Sequence, residues 1–281
     1  IAQYKEVRFI MPQPFQLSTV VGIKSLPGTA AYANEPFSAI VDCAVSEALT
    51  YYNAGIRNII IQNVNDWPSR EKVGPETVAY MSVIGSEVRN AVGGDCALGI
   101  SVLRNDGVAA VAIAHAVQAQ FIRAKVYVGA MISAAGIETG CMNEVLSLRH
   151  AIGSDVNIWA DIRSRTGIPI TDYPILQECA FAVDKGLCDH MILSSQSFDD
   201  SIELVRTVKK AYPKCQVMLG GAVNHQNLQI ACSHADGAIV ASCLKRDGKM
   251  HEVIDPERLQ SFMALYQNCI DSPQTSMVNG K

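Results

Sequence analysis

The sequence predicts an α/β fold: a closed (β/α)8 barrel, one domain over residues 1–281 with its core at about 18–270. Three observations predict it. Short apolar runs rich in β-branched residues alternate strictly with longer stretches of helical period, the order that parallel strands joined by right-handed crossovers demand. The strand-like runs number about eight, what a closed barrel of roughly 250 residues needs. The composition, 49% hydrophobic with 6% aromatic and 18% charged residues, suits strands buried on both faces. An open doubly wound sheet would want a glycine-rich turn after its first strand, and no GxGxxG is present.

The strands are expected at 18–23, 56–62, 96–102, 121–126, 156–162, 190–193, 216–219 and 237–240, each bounded by turn residues or a helical period. The first helix, 36–53, opens after Asn34; the second, 75–92, has proline at its start; the third, 107–118, follows Asp106 as an N-cap. The remaining helices are expected at 138–152, 172–185, 199–211, 224–232 and 256–268. The two ends, 1–16 and 272–281, are polar or irregular and read as peripheral or frayed.

Twenty-three basic residues against 27 acidic ones give a net charge of −4, with no block of like charge, so nucleic acid and charged membrane surfaces are not expected partners. No apolar run reaches the roughly 18 residues of a membrane span, and the start lacks a basic region followed by an apolar stretch. The cytoplasm is the expected location. The nine cysteines are irregularly spaced without a CxxC pair and read as small buried hydrophobes in a reducing compartment. None of the six histidines forms HxxxH, and there is no GxSxG or Walker sequence. No metal and no cofactor are expected; a flavin-using barrel would rest on the phosphate position alone. The apolar content favours a homo-oligomer.

In a barrel of this kind the chemistry sits where the strands end and the following loops begin. After the second and third strands the loops carry Asn63 and Asp66, then Arg104 and Asp106, although Asn and Asp also serve turns and caps. In Phe121-Ile122-Arg123-Ala124-Lys125-Val126 the cations alternate with apolar residues, so period two puts Arg123 and Lys125 in the lumen. The same argument puts Trp159, Asp161 and Arg163 inside the next strand and Lys125 beside Asp161, as a structural ion pair or a catalytic one. A lysine in such a place can donate a proton, accept one, or form an imine. Arg163 and Arg165 could clamp a phosphate or carboxylate. After the last two strands, Gly220, Gly221 and Ser242 lie where barrels present backbone N–H groups to phosphate; a tight turn without ligand is the bland alternative.

The ordered motifs resemble the BtpA family, with its SgcQ-like proteins, of which this chain reads as a divergent member. The resemblance is carried by Leu26-Pro27-Gly28, Gly74-Pro75-Glu76-Thr77, Leu103-Arg104-Asn105-Asp106, Phe121-Ile122-Arg123, Ala235-Asp236-Gly237, and Leu244-Lys245 with Asp247-Gly248. It implies a phosphate-binding (β/α)8 barrel and no defined chemistry. Against the family pattern, Lys125 stands for asparagine, Gln62 for glutamate, and Gly220-Gly221-Ala222 for GSG; Ala241-Ser242 replaces GS, and Arg163-Ser164 replaces Lys-His. Two functions are therefore carried forward. One is acid/base chemistry of the lyase or isomerase type on a small anionic, phosphorylated metabolite, with Lys125, Asp161, Arg163, Asp66 and Asp106 as catalytic candidates. Its binding candidates are Gly220, Gly221, Ser242, Arg104, Arg123, Asn63 and Arg165. The other is a non-catalytic biogenesis or assembly factor built on the same barrel.

Overall fold

Each apolar run identified above becomes a parallel strand, because a run buried on both faces is stable only with helices outside it and a filled lumen within. The computed structural model describes residues 14–271. The expectations for 1–13 and 272–281 lie outside the described residues. The barrel strands are β1 (Gln16–Gly22), β2 (Asn58–Gln62), β3 (Ala97–Ser101), β4 (Phe121–Ala124), β7 (Asn157–Arg163), β9 (His190–Leu193), β10 (Gln216–Leu219) and β11 (Gly237–Val240). They close in the order β1-β11-β10-β9-β7-β4-β3-β2, with β1 also paired to β2. The last three coincide with the expected ranges; β1 takes in Gln16, which reads as part of a frayed end.

The outer ring is α1 (Phe37–Asn53), α2 (Pro75–Val92), α3 (Gly107–Ala116), α4 (Met142–Ala151), α5 (Ile175–Ala180), α6 (Phe198–Ala211), α7 (Leu228–His234) and α8 (Pro256–Asp271). Their starts follow local chemistry. Pro75 occupies the first turn of α2, where its missing N–H is no loss, and the Ser197 hydroxyl caps α6 by accepting from Asp200 N at 3.1 Å.

Three helices differ from expectation; the one expected at 224–232 is α7, which starts four residues later and runs two further. The stretch expected as helix from 138 begins as a strand, because a small antiparallel sheet intervenes: β5 (Ala130–Ser133) pairs with β6 (Gly136–Thr139) and with β8 (Gly167–Pro169). The helix expected at 172–185 is α5, shortened at its start, followed by a wider π turn at 181–185.

Lumen filling explains the strand sequences. Val20, Ile60, Phe121, Trp159, Ile192, Met218 and Ile239, one from each of seven strands, form a separate apolar layer inside the barrel. The eighth strand contributes Gly99, whose absent side chain makes room for the Phe121 ring: a Cβ there would lie 2.2 Å from it. Phe121 stacks on Trp159 at 3.7 Å and Trp159 on His190 at 4.6 Å, so a ladder of rings runs along three neighbouring strands. Outside the barrel, Lys245 is almost wholly buried and bonds Glu47 of α1 at 2.9 Å. That pair ties the segment after β11 to α1. Burial pushes the Glu47 carboxyl up, and Lys245 opposes the rise.

His190 carries a consequence for acid stability. Burial lowers its pKa from 6.5 to about 4, the carboxylates of Asp189 and Asp236 only partly opposing this, and its Nδ1 has no hydrogen-bond partner among the described residues. The unfolded chain therefore takes up a proton below about pH 6.5 that the native barrel refuses until about pH 4. Stability should fall across this window as pH drops, by on the order of 3 kcal/mol from this residue. Urea unfolding of His190→Gln should show a correspondingly flatter acid limb; an unchanged limb would exclude His190 as its cause.

Candidate functional site

The ends of the strands meet in a cavity of about 520 Å³ at the C-terminal mouth of the barrel. Its wall includes Arg123, Lys125, Asp161, Arg165, Gly220, Gly221 and Ser242, seven of the twelve residues the sequence singles out. Each arrives for a local reason. Arg123 and Lys125 alternate with the outward Ile122 and Ala124, which pack into the outer core. Gly220 lies against the Ile192 side chain, 2.6 Å from where a Cβ would be, so this turn admits no larger residue without movement. Gly221 has φ +126, a conformation glycine adopts freely. Ser242 opens a short 3-10 turn behind Ala241.

The expected partnership of Lys125 with Asp161 is replaced by another. Arg123 grips Asp161 with two parallel bonds, Nε to Oδ1 at 2.9 Å and Nη2 to Oδ2 at 2.8 Å. Register explains it: Arg123 lies opposite Trp159 on the neighbouring strand, which puts its planar fork within reach of Asp161 two residues on. Burial works against the Arg123 charge, but the carboxylate outweighs it and raises the pKa above the ordinary arginine value. Lys125 instead faces Glu138 of β6, with Nζ 3.8 Å from Oε2. Glu138 is nearly inaccessible; Ser133 donates to its Oε1 at 2.5 Å, while Oε2 has no hydrogen-bond partner among the described residues.

Arg163 is not in the lumen. A bulge in β7 sets Asp161 opposite Ile192 but Arg163 opposite Leu193, so one extra residue reverses the alternation. Its guanidinium turns outward to Glu178 of α5, at 2.9 and 3.3 Å, and to the Tyr173 carbonyl. Arg165, beyond the bulge, takes the place at the mouth. Its backbone is held by Ser194 and Gln196. Its guanidinium lies 3.7 Å from the position of a Cβ on Gly221, and among the described residues it has no carboxylate partner.

Four other predicted residues lie elsewhere. Asn63 and Asp66 wall a second cavity of about 330 Å³, separated from the mouth by Leu103, which lines both. They are spent on one another and on the backbone: Asn63 donates to Asp66, and Asp66 accepts from Leu26 N. Burial raises the Asp66 carboxyl, and those two bonds partly restore it. Asp106 caps α3 by accepting from Ala109 N at 3.0 Å, and its other oxygen accepts from Val73 N at 2.9 Å. Arg104 reaches the Ala135 carbonyl in the β5–β6 turn.

Sequence reasoning missed Glu138 and Met250, the latter a residue of the mouth cavity wall. A signal for Glu138 existed. Ile132 and Ile137 flank Ser133-Ala134-Ala135-Gly136, four small residues ending in glycine between β-branched ones, which is a hairpin signal. Among the described residues no group of three or more His, Cys, Asp or Glu could hold a metal, and no helix is long and apolar enough to cross a membrane.

Comparison with known proteins places this geometry in context. The profile of the BtpA family matches residues 16–268. The photosystem I biogenesis protein BtpA of Synechocystis sp. is 32% identical over 266 residues, covering 92% of this chain and 91% of that protein. Among solved structures, N-acetylneuraminate lyase from Fusobacterium nucleatum is similar with a TM-score of 0.57 at 10% identity, over 92% of this chain and 76% of that one. N-(5'-phosphoribosyl)anthranilate isomerase from Pyrococcus furiosus is similar with a TM-score of 0.51 at 14% identity, over 90% of this chain and 99% of that one. At such identities the two enzymes share a barrel fold with this chain, and nothing finer follows from the likeness.

Breaking the lumen pair gives a direct measurement. Asp161→Leu leaves the buried Arg123 charge uncompensated and should cost about 3–5 kcal/mol in chemical unfolding. Adding Arg123→Met should restore most of that loss, because two matched apolar groups replace two matched charges; a double variant no better than the single one would refute the pairing argument.

Proposed function

The chain belongs to the BtpA family, and from that premise and the geometry of its mouth we propose a barrel enzyme that binds a small phosphorylated metabolite and moves protons on it. The observation that carries the reading is the corner where the uncompensated Arg165 guanidinium stands beside Gly221, with Gly220 and Ser242 in the same wall. A planar fork next to a side-chain-free turn suits a tetrahedral dianion, which accepts from guanidinium, hydroxyl and backbone N–H at once.

Lys125 stands across the same cavity as the group that would exchange a proton with the substrate. Glu138 faces its far side as a counter-charge, and the Arg123–Asp161 pair, fully engaged with itself, would hold the substrate by shape and charge rather than by proton transfer. Lyase or isomerase chemistry next to a carbonyl needs such an arrangement: an anion anchor that orients the substrate and one titratable group beside the reacting carbon.

A second reading, an assembly factor without catalysis, is favoured by one surface. On the outer face of the small sheet Ile137, Ile132 and Ile168 lie in register across three strands and are 60%, 54% and 71% exposed. Such a row suits contact with another protein.

Two measurements separate these readings. Inorganic phosphate titrated calorimetrically should bind the wild type, and Arg165→Gln should weaken it by about 10- to 100-fold, the loss of one charge-assisted contact. If the wild type binds no phosphate, the anion site is lost and the assembly reading gains. Proton transfer would be read by NMR as deuterium uptake from D₂O into a panel of phosphorylated ketones and 2-oxo acids. Lys125→Met should abolish the exchange; because it also strips the buried Glu138 of its counter-charge and should lower the thermal midpoint, the assay is run well below that midpoint, and retained exchange would remove Lys125 from the chemistry.

A further inference from the structure

A third, smaller cavity adjoins the mouth cavity. It holds about 150 Å³ beneath the small sheet and shares Lys125, Asp161 and Ser164 with the mouth. The rest of its wall is largely carbon, from Val126, Val128, Met131, Ile162, Pro169 and Phe181. The two charged side chains at its far side, Arg163 and Glu178, are bonded to each other and offer a ligand little. A space of this volume, walled mostly by carbon, admits a group about the size of a benzene ring.

We propose that this cavity is the subsite for an apolar, ring-sized end of the ligand, so that the substrate class is an organic phosphate with a hydrophobic tail. The inference rests on the anion site proposed above for its other end. Gly221 follows β10 and the apolar cavity lies beyond β7, with β9 between them, so two inter-strand steps of about 4.8 Å each separate anchor from pocket. A ligand reaching from one cavity into the other meets Lys125 and Asp161 at their shared boundary, where the proton transfer is placed. Glycerol phosphate, of equal charge but polar throughout, would reach the anchor and leave the pocket unfilled. The sheet that roofs the pocket supplies Met131 from β5 and Pro169 from β8 and is the structure that the barrel strands alone would lack.

Calorimetry on the intact protein tests this with inorganic phosphate, glycerol phosphate and a series of phenylalkyl phosphates from phenyl to phenylbutyl. At least one member of the series should bind the wild type about tenfold or more tighter than glycerol phosphate, from the apolar area it removes from water. Val128→Phe, which fills the pocket, should erase that gain while leaving inorganic phosphate within about twofold. Met131→Ala, which enlarges the pocket, should move the optimum to a bulkier tail and serves if the first variant does not fold. Phosphate binding without any gain along the series overturns the apolar subsite and leaves the anion site standing. A gain unchanged in both variants places the tail elsewhere and overturns it as well. Failure of every probe, inorganic phosphate included, overturns both.

Discussion

The two parallel bonds between Arg123 and Asp161 set the terms for the mouth of this barrel. Below them the lumen is filled by a layer of rings and branched chains that forms the floor of the cavity. Above them the strands diverge into loops, and whatever projects inward at the boundary must be polar enough for the cavity yet compatible with burial. An isolated charge there would cost several kcal/mol. A bidentate pair across β4 and β7 meets both conditions, with the Asp161 side chain nearly inaccessible and that of Arg123 14% exposed. By consuming the Asp161 carboxylate it also leaves that group unable to neutralise Lys125 or Arg165. The cationic character of the site is therefore a consequence of one structural pair having been satisfied first.

The bulge in β7 divides the work between the remaining arginines. Without the extra residue, Arg163 would crowd the lumen beside Arg123 and compete for Asp161. With it, Arg163 turns to Glu178 and fastens α5 against the barrel, while the chain re-enters the mouth at Ser164 and delivers Arg165 opposite Gly221. The same stretch runs on into β8, whose pairing with β5 completes the small sheet. One local irregularity thus joins three features: the outward anchor, the cationic corner, and the roof that carries Glu138 over Lys125.

Most of the barrel was legible because its physics is periodic. Alternation in 121–126 put both cations inward, and the structure agrees; the same alternation put Trp159 and Asp161 inward, again in agreement. It failed at Arg163, since a bulge is an insertion into a period and has no signature in composition. The pairing of Lys125 with Asp161 failed for a related reason. Two cations on one strand both face one carboxylate on the next, and only the register decides which reaches it. Asp106 could be read as a cap or as a catalytic group, and its hydrogen bonds to Ala109 N and Val73 N are those of a cap bracing the loop ahead of α2. The small sheet was hidden by a helical reading of 138–152, because Glu138 fits a helix start as readily as an inward position on a four-residue strand.

The overall charge of −4 also takes on a local meaning. At the mouth three cations, Arg123, Lys125 and Arg165, meet two carboxylates, Asp161 and, behind Lys125, Glu138, so the mouth keeps a surplus positive charge on an acidic protein. Interactions in a partly enclosed cavity are screened less than on open surface, whereas the distant acidic residues are damped over a Debye length of about 8 Å. A small anion approaching the barrel therefore meets the local sign, and the net charge has little say. The smaller cavity beneath the small sheet adds the complement to that argument. Charge alone would accept any phosphate; under the proposed reading, a carbon-lined recess sharing Lys125 with the mouth would favour one bearing something apolar. Attraction and selection would then come from different walls of the same mouth, and the roof formed by β5, β6 and β8 makes the second wall.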